Sequence, residues 1–261
     1  MTRAPLAGRS ILVTRPRERA EHLAALIREA GGEAVLFPSI AIDQAADPQP
    51  LRALIDRLET LDLAIFVSPS AVEKALEAVA AQRRGEPWPA RVRVAAIGAG
   101  TRRALERRGF AGVIAPRSGA DSEALLTVPE LAEVAGWRIA ILRGAHGRAL
   151  LGEVLASRGA HVEYAECYAR TRPAADAAPL LARWNQGAID AVTVSSSEGL
   201  GNLLQMLGEE GARLLRKTPL FVPHARVAAQ AARLGLGQAR VAGPADDEMI
   251  ACLMAYFRTT P

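Results

Sequence analysis

The chain repeats itself at a nearly constant offset, and a repeat of that length restricts the fold to two copies of one α/β unit. The segment GRSILVTRP, Gly8 to Pro16, lines up with GWRIAILRG, Gly136 to Gly144, so that Arg15 falls on Arg143 at an offset of 128. The same offset carries Gly31-Gly32 onto Gly159-Ala160, and LDLAIFVSPSAV from Leu61 onto IDAVTVSSSEGL from Ile189. Three residues are then lost, so that Ala95 to Leu105 sits opposite the stretch beginning at Leu220, and Asp121 falls on Asp246 at an offset of 125. Each copy is too long for a solenoid repeat and long enough for its own core. The length of 261 residues agrees with two domains. Two similar lobes make a cleft between them the expected place for a site.

Half of the residues are hydrophobic and only 4% are aromatic, so Ala, Leu and Val must build the core. The formal charge of +4 comes from Arg, since Lys74 and Lys217 are the only lysines. The bases are scattered over both copies with no basic run interleaved with aromatics, which argues against nucleic acid. Arg is also the base that grips carboxylates in a bidentate manner. Cys167 and Cys252 lie far apart without a CxxC, which suggests neither a disulfide framework nor a zinc site and fits a reducing compartment. The start MTRAPLAGRS has no apolar stretch of signal-peptide length, and no apolar run approaches the ~20 residues of a membrane span. The expectation is a cytoplasmic protein without membrane contact.

Short apolar runs alternating with helical patterns predict parallel βα units. In the first copy strands are predicted at Ile11 to Thr14, Ala34 to Phe37, Ala64 to Ser68, Val92 to Ile97 and Gly112 to Ala115. In the second they fall at Ile139 to Leu142, Val162 to Ala165, Ala191 to Ser195, Leu220 to Val222 and Ala239 to Val241. Five strands per copy with helices between predict a flavodoxin-like doubly wound sheet. The first helix, about Glu18 to Ala30, should stop at Gly31-Gly32, and its counterpart, about Gly147 to Arg158, at Gly159. Two connectors, FPSIAID (Phe37 to Asp43) and ECYARTRP (Glu166 to Pro173), lack a helix signal and read as ordinary loops or as crossings between domains. GEPWPA, Gly85 to Ala90, reads as a surface loop.

Ligands of open parallel sheets bind beyond the carboxyl ends of the strands, and there this chain is rich in anion-compatible groups. Thr14, Arg15, Arg143 and Gly144 follow the first strands, with Arg148 shortly beyond; Ser68, Ser70, Ser195, Ser196 and Ser197 follow the third. Gly98, Gly100 and Thr101 follow the fourth strand of copy one, where His224 and Arg226 stand in copy two. Hydroxyls and free amides at helix N-termini bind carboxylate or phosphate, although any one of these Ser or Thr residues can be a simple N-cap. Their repetition in both copies favours a bound polyanion. IGAGTRR, Ile97 to Arg103, lacks the third glycine and the following acidic residue of a dinucleotide fingerprint. His22, His146, His161 and His224 have no metal-ligand spacing and read as surface or cap residues. Tyr164 has the alternation of a packed strand residue, whereas Tyr168 lies in a polar connector near Arg170 and Arg172. A phenol stays protonated at neutral pH and can give a proton or hydrogen bond to a departing oxygen. Considered by itself, Tyr168 reads as structural.

Taken in order, ILVTRP, FPSIAI, FVSPSAV, VAAIGAGTRRAL, RGAHGRALLGEVLASRGAHVEYAECYAR, VTVSSSEGLGNL and VAGPADDEMIACL resemble the uroporphyrinogen-III synthase family, from Gly8 onward. The single motifs are weak; their order, spacing and coverage are specific. The resemblance implies a monomeric, cytoplasmic, cofactor-free carbon–oxygen lyase of tetrapyrrole and heme biosynthesis. It would close the linear tetrapyrrole hydroxymethylbilane to uroporphyrinogen III, with loss of water and inversion of the last ring, and would contact the preceding pathway enzyme transiently. It also implies two cross-connected lobes: residues 1–37 with 174–261, and residues 44–165, joined by crossing strands at 38–43 and 166–173. The family's candidate proton donor matches Tyr168, and the threonine after the glycine turn matches Thr101. Copy two departs from the glycine turn, with Pro223 and Arg226 opposite Gly98 and Thr101, so a side-chain role for Arg226 or His224 replaces backbone binding there.

In the chemistry so implied, a pyrrole nitrogen expels the terminal hydroxyl unaided, so the protein needs no metal or strong nucleophile. It needs one weak acid and a cleft that holds the last ring turned over, since unaided closure favours the other isomer; positioning is the main catalytic contribution. A polycarboxylate substrate accounts for the Ser, Thr and Arg at the strand ends. The competing classes are a non-catalytic two-lobed binding protein for a small polyanion, and a dinucleotide oxidoreductase that would bind NAD(P).

Overall fold

The computed structural model describes residues 4–145, 147–237 and 239–259. In chain order the first half holds β1 (Ser10–Val13), α1 (Arg17–Glu29), β2 (Glu33–Leu36), β3 (Ala41–Gln44), α2 (Gln49–Asp56) and β4 (Leu63–Phe66). It continues with α3 (Pro69–Gln82), β5 (Arg93–Ala96), α4 (Ala99–Arg107) and α5 (Ser122–Leu126). The second half holds β6 (Arg138–Gly144), α6 (Leu150–Ser157), β7 (His161–Thr171), α7 (Ala178–Asn185) and β8 (Ala191–Thr193). It ends with α8 (Ser197–Leu215), β9 (Leu220–Val222), α9 (Ala225–Arg233), β10 (Ala239–Val241) and α10 (Asp246–Thr259). Two compact units result: residues 1–41 with 171–261, and residues 42–170.

The first unit carries a sheet of order β10-β9-β8-β1-β2 and the second one of order β3-β7-β6-β4-β5. Their registers are related. Ile11 pairs with Ala191 in one sheet and Ile139 with Leu63 in the other, each member displaced by 128. Likewise Ser10 pairs with Glu33, and Arg138 with His161. Each sheet therefore takes two neighbouring strands from one half of the chain and the next from the other half. The central strands are buried along their length, as with LAIF in β4, because helices cover both faces. α1 and α6 both stop where a glycine takes a left-handed conformation, Gly31 at φ +84 and Gly159 at φ +86.

Three sequence expectations are corrected. First, the pairs Ala95↔Ile114 and Phe221↔Arg240 are displaced by 126, so Ala95 aligns with Phe221, and the alignment made on sequence slips by one residue. Gly98 and His224, both N-caps, are then equivalent positions, as are Gly100 with Arg226 and Thr101 with Val227. Second, the strand expected at Gly112 to Ala115 shrinks to one bridge, Ala95↔Ile114, between a left-handed Gly112 (φ +65) and Pro116, which has no N–H to continue a ladder. Third, the helix expected from Gly147 starts at Leu150, because Arg143 lies against Gly147 and its Nη1 donates to the Gly147 carbonyl. Both connectors contain strand: β3 begins in the first, and the carboxyl part of β7 runs through the second. Strand ends move by a residue or two, leaving Thr14, Phe37, Val67, Ser68, Val92, Ile97, Val194 and Ser195 outside the strands. The GEPWPA segment is anchored by Trp88, whose ring meets Phe66 and Phe110 and whose Nε1 donates to the Val92 carbonyl at 2.9 Å.

Candidate functional site

In the second unit the ends of β4, β6 and β7 converge on Tyr168. β6 and β7 pair in regular register to Arg143↔Glu166, then skip Cys167 to give Gly144↔Tyr168. Alternation places Ala165 and Cys167 on the core face, and the bulge turns Tyr168 onto that face as well. The Tyr168 ring is 2% exposed. Its Oη lies 3.0 Å from Ser68 Oγ, and Ser68 Oγ in turn accepts from the Ala71 N–H as the N-cap of α3. Ser70 and Thr101 are buried in the first turns of α3 and α4, and Gly100 is exposed.

Arg143 stacks on the Tyr164 ring at 4.1 Å, with its Nη2 3.7 Å from Glu166 Oε1. Its Nε is buried without a hydrogen-bond partner among the described residues. Tyr164 donates to the Ala149 carbonyl, so its role is packing and support of Arg143. Arg148 is exposed and pairs with Glu123 through both terminal nitrogens; those hydrogen bonds hold Glu123 below the usual carboxylate range and raise Arg148. Burial pushes the Cys167 thiol up to about 12, so it is no nucleophile at neutral pH. His161 is exposed, and His146 lies outside the described residues.

The first unit repeats the scaffold with different chemistry. Ser196, 128 residues after Ser68, caps α8 by accepting from the Gly199 N–H at 3.0 Å. The residue at the Tyr168 offset is Ile40, buried and unable to give a proton. Ser195 and Ser197 are half-buried, whereas His224 and Arg226 are exposed at the start of α9. Arg15 is not free: it pairs with Asp246 of α10, whose other oxygen is 2.7 Å from His22 Nδ1. Sequence reasoning missed this partner, and it missed Ser39 and Asn202, which tie the β2–β3 connector to α8 through the Ser39 carbonyl. The DDE triplet at 246 aligned with Asp121-Ser122-Glu123 and was the one signal for Asp246. Among the described residues no group of His, Cys, Asp and Glu could hold a metal ion, and no helix is long and apolar enough to cross a membrane.

A family model described as uroporphyrinogen-III synthase HemD matches residues 21–251. The chain is 37% identical over 245 residues to a uroporphyrinogen-III synthase of Salmonella typhimurium, covering 92% of this chain and 98% of the relative. It is 36% identical over 245 residues to one of Escherichia coli, with the same coverage, 92% and 98%. A mutant uroporphyrinogen III synthase of Thermus thermophilus superposes with a TM-score of 0.59 at 20% identity, over 96% of this chain and 98% of that one. A uroporphyrinogen-III synthetase of Helicobacter pylori gives 0.58 at 13% identity, over 95% and 99%. At such identities these two structures establish the fold: α/β, with two sheets dominated by parallel strands.

Proposed function

The chain belongs to the uroporphyrinogen-III synthase family, and from that membership we propose that it is a carbon–oxygen lyase in which Tyr168 assists loss of the hydroxyl from hydroxymethylbilane. The observation that carries the assignment is the contact between Tyr168 Oη and Ser68 Oγ at the N-terminus of α3. A serine hydroxyl has one donor and two acceptor sites. Ser68 spends one acceptor on the Ala71 N–H and can donate to Tyr168 Oη, which leaves the phenol proton available to the leaving oxygen. When that proton departs, the Ser68 O–H and the positive end of α3 stabilise the phenolate. The pyrrole nitrogen supplies the electron pair that expels water, so the reading calls for no cofactor. Closure of the ring in its inverted sense then follows from how the substrate is held.

The substrate carboxylates are assigned to Ser70, Gly100, Thr101, Arg143 and Arg148 in one unit, and to Arg15, Ser195, Ser196, Ser197, His224 and Arg226 in the other. Arg143 is the strongest of these, since its buried Nε has no hydrogen-bond partner among the described residues. Arg15 and Arg148 already hold carboxylates and must exchange them for the substrate's. A monomer working in the cytoplasm, with transient hand-over from the preceding pathway enzyme, fits this reading.

Because Tyr168 is only 2% exposed, a substrate must displace a neighbour to reach it, and the informative variant changes the hydroxyl alone. Tyr168→Phe keeps the ring. It should bind product nearly as well as the parent and lose turnover toward the lower end of the ~10²- to 10⁴-fold typical of general acids. Consumption of hydroxymethylbilane, with separation of the isomers formed, measures both rate and outcome. Isomer III should persist among the products. Unchanged kinetics would return Tyr168 to packing, and no consumption by the parent protein would leave a polyanion-binding protein.

A further inference from the structure

We propose that Gly144 is a positioning residue for Tyr168: by lacking a side chain it admits the phenol ring against the end of β6 and so sets the hydroxyl on Ser68. The inference deepens the assignment of Tyr168 and rests on it. A Cβ on Gly144 would stand 2.7 Å from Tyr168 Cζ, 2.8 Å from Cε2 and 3.0 Å from Oη. Carbon–carbon contacts optimise near 3.5 to 4.0 Å, so even alanine must drive the ring away. The ring cannot yield freely. Its backbone is pinned by the Gly144↔Tyr168 pairing and by the Ala145 N–H donating to the Tyr168 carbonyl at 2.9 Å. Tyr168 belongs to a buried core cluster that includes Phe66 and Leu142. The hydroxyl must therefore move off Ser68 Oγ, now 3.0 Å away.

The other half of the chain shows that the scaffold itself does not require this arrangement. At the 128 offset Pro16 replaces Gly144 and Ile40 replaces Tyr168; the register as far as Val13↔Leu36, the preceding Arg and the Ser cap are kept, and the bulged pair is not. Where the tyrosine is absent, both the glycine and the bulged pair are absent too.

The chain has three tyrosines, Tyr164, Tyr168 and Tyr256, so fluorotyrosine labelling gives three resonances, and the one lost in Tyr168→Phe belongs to Tyr168. Gly144→Ala should shift that resonance and leave the Tyr256 signal in place. It should also lower kcat on the order of 10- to 10²-fold, with little change in KM and little further loss when added to Tyr168→Phe. An unmoved Tyr168 resonance, or an equal loss in the Tyr168→Phe background, overturns the inference. Should Gly144→Ala fail to fold, the pair Gly144→Ala with Tyr168→Ala decides: recovery of folding upholds the contact, and failure overturns it. Full turnover by Tyr168→Phe would instead defeat the acid assignment, which the fluorine shift does not measure.

Discussion

Cys167 and Tyr168 are neighbours in sequence with opposite chemical prospects. Burial drives the thiol up to about 12 from an ordinary 9.0, with the Glu166 carboxylate adding to the shift and a backbone hydrogen bond from Arg143 opposing it. Iodoacetamide at mildly alkaline pH should therefore modify the half-buried Cys252 slowly and leave Cys167 intact until the protein unfolds, as peptide masses would show. Early labelling of Cys167 would mean that its core opens locally. The sign of the linkage is set by the raised folded pKa: the neutral thiol contributes fully below pH 9.0 and its contribution fades as pH rises towards about 12. Tyr168 could be singled out from sequence because it stands among charged residues in a connector without helical signal. The role of Gly144 could not, because the bulge that brings residues 144 and 168 together arises only when β6 and β7 pair.

At the scale of elements, α3 and α8 form a matched pair of helices capped by serines 128 residues apart. Each cap accepts one N–H, so Ser68→Ala and Ser196→Ala should each cost about 1 kcal/mol in chemical denaturation. Only Ser68 also meets a phenol. Ser68→Ala should therefore lower kcat, whereas Ser196→Ala should act on substrate affinity with kcat retained. Equal kcat losses would deny Ser68 its part in the chemistry. The starts of α3 and α8 were readable because Ser at a strand end is a local signal, whereas the exchange of strands between the two halves was expected from the family resemblance and not from the repeat itself. What sequence could not fix was the register beyond β5 and β9, where AAIG and LFVP share shape but not residues. There only the ladder pairs show that Thr101 is equivalent to Val227 and Gly100 to Arg226.

For the whole molecule, the consequential fact is that one unit is contiguous and the other is not. Residues 42–170 contain two complete core clusters, one around Phe66 and Leu105 and the other around Ile65 and Ile139. The remaining clusters draw on both ends of the chain, one holding Leu12 and Leu203 and the other Ile11 and Leu253. The Arg15–Asp246 pair spans the same gap. A segment as long as 42–170 is well above the roughly 40-residue floor for independent folding, and excision trims only Ala41 from β3 and Thr171 from β7. Expressed alone, residues 42–170 should show a cooperative urea transition and a native circular dichroism spectrum. The complementary protein should fold when residue 41 is joined to residue 171 by a short flexible linker, and should fail as residues 171–261 alone, which lack β1, the strand between β8 and β2 in the sheet order. A fragment 42–170 that melts without cooperativity would show that its two cores depend on the rest of the chain, and that the boundaries at 41 and 171 mark compactness without autonomy.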